Sequence, residues 1–246
     1  MGIYLRAAPG DYAERVLVAG DPGRISRLAD QLDAVRLVND NRGLLGYTGR
    51  YHGEAVSLQC TGMGCPSMAM VGQELLEYGA RTIIRIGTCS SFARGVENGH
   101  LIVVSGSAAA DGTTRSLAGG APFVAVPDFA LTTALARAAR LHDAAVHVGP
   151  VVTVDVEPHL SATTTGPWRE HGLLAVEMES AALFYLALRA TAHGAHRVRA
   201  ACVLTVSDGL DGHPDGPQRF MSDRELSVAT DVMHVVALEA VTARES

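Results

Sequence analysis

Short apolar segments alternate along the chain with longer segments of helical periodicity, and this alternation constrains the fold most strongly. Seven runs are short and apolar enough for buried strands: residues 16–19, 55–59, 82–86, 101–105, 145–148, 151–154 and 201–206. Helical spacing covers residues 66–78, 129–141, 179–192 and 224–244. The alternation predicts an α/β fold with a mixed, largely parallel central sheet flanked by helices.

The length of 246 residues predicts a single domain over residues 1–246. A chain of this size buries most of its apolar surface, and 48% hydrophobic against 19% charged residues supports a large core. Residues 111–127 and 209–218 are rich in small residues and proline and are predicted to be long loops. Loops of that length are often binding segments or lids.

Composition and charge argue against several classes of function. A formal net charge of −6 is unfavourable for nucleic-acid binding, which needs clustered cations. The cysteines at positions 60, 65, 89 and 202 form no CxxC pair and are predicted to be buried thiols, and no metal site is expected. No apolar run approaches the roughly 20 residues of a membrane span. The N-terminus lacks a signal-peptide pattern, so a cytoplasmic protein is expected.

The first predicted strand ends in a turn with the features of an anion site. It runs into GDPGR at residues 20–24, and a helical pattern follows. Gly20 allows close approach to the backbone, the helix N-terminus offers unpaired N–H groups, and Arg24 lies in the first turn. An ordinary strand-to-helix turn would contain the same residues, so this motif alone decides nothing.

Arg85 lies within an apolar strand, in RIGTC at residues 85–89. A buried guanidinium is costly without an anion or a carboxylate partner, so a bound anion and an ion pair, for example with Glu74, are both open. Thr88 follows the glycine and can point to the same place. Arg42, in a predicted loop, is either solvated or a further cation of the site.

Two acidic motifs follow later in the chain. VEMESAA at residues 176–182 places Glu177 and Glu179 at the start of an apolar helix. The helix dipole favours acidic residues there, and carboxylates in apolar surroundings would also accept hydrogen bonds from ribose hydroxyls. The last predicted strand ends in Ser207 and Asp208, a pair that suits either general-acid chemistry or a capping role.

All of these motifs occur together and in the same order in one family. From about residue 4 to the last helix, the chain resembles the hexameric bacterial purine nucleoside phosphorylases and their uridine phosphorylase relatives. The matching stretches are residues 20–24, 42–49 (RGLLGYTG), 62–67 (GMGCPS), 85–89, 176–182 and 207–208. The resemblance implies a nucleoside phosphorylase-like fold, inorganic phosphate as co-substrate without any cofactor, and a homo-oligomer such as a homohexamer.

The resemblance also implies roles for individual positions. The phosphate-binding positions are Gly20, Arg24, Arg42, Arg85 and Thr88. The ribose-binding positions are Tyr4, Met63, Met178 and Glu179. The base-binding positions are Ser90, Glu157, Val176, Glu177, Ser207 and Asp208. Asp208 would donate the proton to nitrogen 7 of a purine, and Tyr4 and Arg42 would reach the site from a neighbouring subunit.

Three positions depart from the family pattern. Tyr4 stands where a histidine usually meets the ribose 5′-hydroxyl, Glu157 replaces an aromatic residue that packs on the base, and Ser90 replaces a glycine. The phosphate half of the site is therefore intact, whereas the base half is altered, which leaves the accepted base open. Whether Arg219 or Arg224 assists the general acid is also open.

The sequence thus predicts a pentosyltransferase that reversibly cleaves a purine-type nucleoside with phosphate to give the free base and ribose 1-phosphate. Residues 157–168 lack the Gln-x-Arg pattern of the uridine branch, so uridine is less expected. Two alternatives are nucleosidase-type hydrolysis and a nucleoside-binding relative that has lost catalysis. Convergence of Arg24, Arg42 and Arg85 on one phosphate dianion would favour phosphorolysis.

Overall fold

Seven helices and nine strands alternate along the part of the chain that the computed structural model describes, residues 2–156, 162–194, 196–210, 215 and 219–243. The strands are β1 (Arg15–Ala19), β2 (Asp33–Asn39), β3 (Gly46–Tyr51), β4 (Glu54–Cys60), β5 (Thr82–Ser91), β6 (Leu101–Ala109), β7 (Val146–Thr153), β8 (Ala175–Glu177) and β9 (Arg199–Gly209). The helices are α1 (Pro22–Ala29), α2 (Gly64–Glu77), α3 (Gly112–Leu117), α4 (Phe129–Leu141), α5 (Ala162–Glu170), α6 (Ser180–His193) and α7 (Asp223–Thr242), with a short 3-10 turn at Asn41–Gly43.

The described strands form one mixed sheet in the order β2-β3-β4-β1-β5-β8-β7-β6-β9. β1 is parallel to both β4 and β5, and β5 is parallel to β9. Because β5 pairs with both β8 and β9, and β9 pairs with β6, the strands β5, β8, β7, β6 and β9 close into a ring. The predicted α/β class with a mixed central sheet flanked by helices is confirmed.

Helices cover both faces of the sheet, as the alternation of side chains along β1 illustrates. Val16 and Val18 point into one apolar cluster, to which α2 and α6 contribute. Leu17 and Ala19 point into a second cluster with α1, α4 and α7. All four side chains are fully buried. Burial on both faces explains why the central strands are near-continuous apolar runs in the sequence.

The carboxyl ends of the parallel strands meet at one edge of the sheet. The Thr61 N–H donates to the Ala19 carbonyl at 2.8 Å, so the turns after β1 and β4 lie side by side. A Cβ on Gly20 would lie 3.1 Å from the Gly62 carbonyl oxygen, and this close approach explains the glycine. In α/β sheets such an edge is the usual ligand position.

The four predicted helices match α2, α4, α6 and α7 to within two residues at each end. The prediction of separate strands at 145–148 and 151–154 is wrong, because they form the single strand β7. Gly149 and Pro150 lie opposite a register shift in β6, and such irregular positions tolerate proline.

Several elements were not predicted because their sequences lack an apolar pattern. β2 is mostly exposed, β3 mixes polar residues with glycine, and β8 has only three residues. The predicted loop at 111–127 contains α3, whose N-cap Asp111 accepts a hydrogen bond from the Thr114 N–H at 2.6 Å. Most of the predicted loop at 209–218 lies outside the described residues.

Candidate active site

A cavity of about 450 Å³ lies at the carboxyl edge of β1, β4 and β5. Its lining residues are Gly20, Asp21, Pro22, Arg24, Gly62, Met63, Arg85, Thr88, Glu177, Met178 and Glu179. Four of the five predicted phosphate-binding positions and three of the four predicted ribose-binding positions therefore line one cavity, although they come from four separate segments of the chain. Met63, which is 81% exposed, and Met178 also border a neighbouring cavity of about 660 Å³.

The first turn of α1 is built around the N-cap Asp21. Its carboxylate accepts hydrogen bonds from the N–H groups of Gly23, at 2.8 Å, and Arg24, at 3.0 Å, and Pro22 follows it in the first helical turn. Both are strong N-terminal signals. The expectation that this helix end offers unpaired N–H groups is therefore wrong for these two groups. At this helix end an anion would therefore meet the guanidinium of Arg24 rather than the backbone N–H groups of Gly23 and Arg24.

Arg24 is a buried cation with few partners. It is 7% exposed, its Nη1 donates to the Ile86 carbonyl at 3.4 Å, and its Nε has no hydrogen-bond partner among the described residues. Burial lowers the pKa of Arg24 to about 10, and the positive charge of Arg85 adds to this effect. A buried guanidinium in this state gains stability from an anion.

Arg85 points from β5 towards the start of α6, where it forms two buried ion pairs. Its Nε lies 3.2 Å from Glu177 and its Nη2 lies 2.5 Å from Glu179. Burial alone would lower the pKa of Arg85, but Glu179 and Glu177 raise it above its usual value. The ion-pair alternative is therefore realised with these carboxylates and not with Glu74. Glu74 instead accepts hydrogen bonds from the N–H groups of residues 3–5.

Glu177 is the fixed carboxylate of the pair. It is 1% exposed and accepts the N–H groups of Glu179, at 2.9 Å, and Ser180, at 2.9 and 3.1 Å. The hydroxyls of Thr153 and Ser180 also donate to it. With Arg85, these donors saturate both of its oxygens, so Glu177 orients the start of α6 and the guanidinium.

Glu179 lines the cavity together with Glu177 but is less enclosed by hydrogen-bond donors. Its Oε1 accepts the Gly64 N–H at 2.6 Å, which ties α6 to the first turn of α2. Burial raises the pKa of Glu179, Arg85 opposes the increase, and the negative charge of Glu177 adds to it. The Glu179 carboxylate can therefore accept further hydrogen bonds at the cavity, and Arg85 holds it in position.

Gly87 belongs to the site, although the sequence did not reveal its role. A Cβ at this position would lie 2.7 Å from the Arg85 guanidinium carbon and 2.8 Å from Leu204 Cδ2. The guanidinium passes over Gly87 because residues two apart on a strand share a face. In the sequence, the glycine within the RIGTC motif was the only indication of this close contact. Thr88, the next residue, is partly exposed and lines the cavity.

The predicted base half lies further along β5 and β9. The hydroxyls of Ser90 and Ser207 both donate to Oδ1 of Asp208, each at 2.8 Å. Ser90 and Ser207 are buried, whereas Asp208 is partly exposed. Val176 pairs with Ser90 through the backbone and is completely buried. Glu157 lies outside the described residues.

Arg42 and Tyr4 lie together on the surface and do not line the cavity of their own chain. Arg42 is exposed, has a left-handed backbone (φ 58°), and stacks over the Tyr4 ring at 5.5 Å. The side chain of Asn41 donates to the Tyr4 carbonyl at 2.8 Å and holds the two segments together. Within one chain, convergence is therefore limited to Arg24 and Arg85.

Arg219 and Arg224 are the two arginines that could assist the general acid Asp208. Arg219 pairs with Glu225 at 2.5 and 3.0 Å, and Glu225 also forms the capping box of α7 with Ser222. Arg224 is exposed on α7.

The described residues contain no group of three or more His, Cys, Asp or Glu placed to hold a metal ion. No helix within the described ranges combines the length and apolar character needed to cross a bilayer.

The fold and the cavity define an α/β protein with paired cationic and acidic groups at the carboxyl edge of its sheet. The model of the family described as the phosphorylase superfamily matches residues 14–241. The chain belongs to this family.

Curated relatives cover nearly the whole chain. A guanosine phosphorylase of Halorubrum lacusprofundi is 33% identical, over 96% of this chain and 98% of its own length. A DeoD-type purine nucleoside phosphorylase of Myxococcus xanthus is 36% identical, over 94% and 96%. One of Roseobacter denitrificans is 36% identical, over 99% and 100%.

Proposed function

We propose that this protein catalyses reversible phosphorolysis of purine nucleosides to the free base and ribose 1-phosphate. The observation that carries the proposal is the position of Arg24, a buried cation, beside the Arg85–Glu179 pair in one cavity. The names of the relatives, guanosine phosphorylase and purine nucleoside phosphorylase, support the same reaction.

Phosphate would bind next to Arg24, with Gly20 and Thr88 at its side. Arg24 has unmet hydrogen-bonding capacity, whereas the charge of Arg85 is largely balanced by Glu177 and Glu179. A dianion would therefore be held mainly by Arg24, and Arg85 would add a second donor set. Preorganised cations of this kind stabilise charge without having to reorganise during the reaction.

Ribose would lie over Met63 and Met178, which border both cavities. The Glu179 carboxylate is held by Arg85 and by the Gly64 N–H, and it would accept hydrogen bonds from the 2′- and 3′-hydroxyls. Holding sugar and phosphate in one orientation lowers the entropic part of the barrier. Glu177 would act through Glu179 and Arg85, because its oxygens are already occupied.

In the chemical step, a phosphate oxygen forms a bond to the anomeric carbon as the bond to the glycosidic nitrogen breaks. The bonding electron pair leaves with the base, and Asp208, as a carboxylic acid, gives its proton to ring nitrogen 7. The base therefore leaves as a neutral molecule, Asp208 becomes a carboxylate, and the sugar is released as ribose 1-phosphate. In this scheme phosphate is the co-substrate, and no metal or organic cofactor takes part.

We further propose a homo-oligomer with shared active sites, of the homohexameric kind, in the cytoplasm. The exposed Arg42 and the partly buried Tyr4 form one surface unit, which is suited to contact a neighbouring subunit's cavity. Tyr4 would then meet the 5′-hydroxyl, and Arg42 would supply the third cation for phosphate. Val176 and Glu157 are proposed to surround the base, with Ser90 hydrogen-bonded to Asp208 on the same side.

The direct test is base release from a panel of purine and pyrimidine nucleosides, with and without phosphate. Phosphate-dependent base release with stoichiometric ribose 1-phosphate is expected for purines. Equal rates without phosphate would indicate hydrolysis and overturn the proposal. Tight nucleoside binding without turnover would also overturn it.

A further inference from the structure

Asp208 lies at an irregularity in the β5–β9 ladder. The register pairs Cys89 with Val206 but Ser90 with Asp208, so Ser207 is an extra residue in β9. Such a bulge re-aims side chains locally. In a regular strand, neighbouring side chains point to opposite faces, whereas here the Ser207 hydroxyl reaches the adjacent Asp208 carboxyl at 2.8 Å.

The bulge also brings Ser90 to the same carboxyl oxygen. The Ser90 hydroxyl donates to Oδ1 of Asp208 at 2.8 Å, although the two residues are 118 positions apart. The Ser207 hydroxyl has a competing acceptor, the Cys89 carbonyl at 3.2 Å. Since a hydroxyl has one proton, Ser207 divides its donation between two acceptors. Ser90 is the donor that reaches this oxygen from the neighbouring strand, β5.

We propose that Ser90 is a positioning residue that fixes which oxygen of Asp208 carries the catalytic proton, an inference that rests on the proposed function. In a protonated carboxyl group, the carbonyl oxygen is the strong acceptor and the hydroxyl oxygen is the donor. Two hydroxyls that donate to Oδ1 keep this atom as the carbonyl oxygen. The proton then resides on Oδ2, the oxygen that must face the base.

Placing the proton on Oδ2 leaves the bonds and charges of the proposed reaction unchanged. The proton leaves Oδ2 for ring nitrogen 7 as the glycosidic bond breaks, and the resulting carboxylate retains both serine hydrogen bonds. Without Ser90, the proton could occupy either oxygen and the carboxyl could rotate. A smaller fraction of bound complexes would then have the acid in the productive geometry. Ser90 would affect the rate of proton transfer more than substrate binding.

A nucleoside methylated at nitrogen 7 separates this role from a structural one. Its imidazole ring already carries a positive charge, so departure of the base needs no proton from Asp208. The test compares Ser90→Ala with wild type on guanosine or inosine and on 7-methylguanosine, each with saturating phosphate. Ser91→Ala is the matched control, because the Ser91 hydroxyl is also buried but donates to the Leu174 carbonyl at 3.4 Å.

For Ser90→Ala, kcat on guanosine or inosine is expected to fall about 10-fold, the effect of one hydrogen bond to a charged group. The KM is expected to change less than about twofold, and kcat on 7-methylguanosine to stay within about twofold of wild type. An equal loss on both substrate types, or no loss on either, would overturn the positioning role. If wild type forms no ribose 1-phosphate from any nucleoside, the proposed function itself fails.

Discussion

Arg85 and Glu179 form a buried ion pair of 2.5 Å across the floor of the cavity. The pair joins the middle of β5 to the start of α6, and the Glu177 carboxylate lies 3.2 Å from the Nε of Arg85. Two carboxylates and one guanidinium leave this group without net positive charge. The attraction for a dianion within one chain therefore depends on Arg24, and the first prediction follows from this balance.

Replacing Arg24 by Gln should weaken phosphate binding. The KM for phosphate is expected to rise about 10- to 100-fold, the usual effect of losing a charge-assisted hydrogen bond, with a smaller change in the nucleoside KM. Steady-state kinetics with varied phosphate measures this. Arg27→Gln, on the exposed side of the same helix, is the control. An unchanged phosphate KM in Arg24→Gln would remove Arg24 from the site.

Replacing Glu179 by Gln should impair ribose recognition and leave Arg85 paired with Glu177. We expect kcat/KM to fall about 100-fold on a ribonucleoside, because two charge-assisted contacts are weakened. The loss should be about 10-fold smaller on the matching 2′-deoxynucleoside, which cannot make one of the contacts. Parallel kinetics on the two substrates tests this, and equal losses would contradict direct contact with the 2′-hydroxyl.

Glu177 should matter for stability as well as activity. Glu177→Gln places an amide where two N–H groups, two hydroxyls and Arg85 all donate. Unfolding free energy should fall by about 2–4 kcal/mol, since buried donors lose their acceptor. Urea denaturation measures the change. Glu77→Gln, an exposed glutamate on α2, should shift stability by less than about 0.5 kcal/mol.

His234 should make the protein acid-sensitive. Its ring is fully buried in α7, and burial, with the charges of Arg24 and Arg27, lowers its pKa to about 4. The exposed carboxylate of Asp231 lies 3.8 Å from its Nδ1. Between pH 6.5 and 4 the unfolded chain binds a proton that the folded chain does not. Stability should therefore be lost as pH falls, by roughly 3 kcal/mol from this group.

The pH effect is tested by unfolding at pH 7 and pH 4.5. His234→Met should flatten the dependence on pH compared with wild type, because it removes the buried titrating group. His171→Gln, at an exposed position, should leave it as in wild type. If the His234→Met protein loses as much stability on acidification as wild type, the burial of a neutral histidine is not the cause.

A shared active site predicts complementation between subunits. Arg42→Ala and Asp208→Asn should each be nearly inactive, but a mixed dimer would contain one site with both native residues. Co-expression at equal levels should recover about a quarter of the wild-type rate, as random pairing of two variants requires. Activity no higher than the mean of the two separate variants would place Arg42 outside the neighbouring site.

The sequence alone was sufficient for the α/β class and for the positions of the long helices. β1 and β5 are buried on both faces and α2, α4, α6 and α7 have apolar periodicity, so their local patterns are strong. The convergence of motifs at one edge also followed, because parallel strands bring their carboxyl ends together. By contrast, the exposed strand β2 and the short helix α3 have no apolar signal and depend on tertiary contacts.

Only the tertiary structure decided the partners within the site. Arg85 pairs with carboxylates 92 and 94 residues away rather than with Glu74. Ser90 reaches Asp208 only because Ser207 forms a bulge, and Arg42 lies outside its own cavity. Sequence patterns report local periodicity and burial, which adjacent residues determine. The choice among several carboxylates for one guanidinium depends on distances that arise only when distant strands are registered side by side.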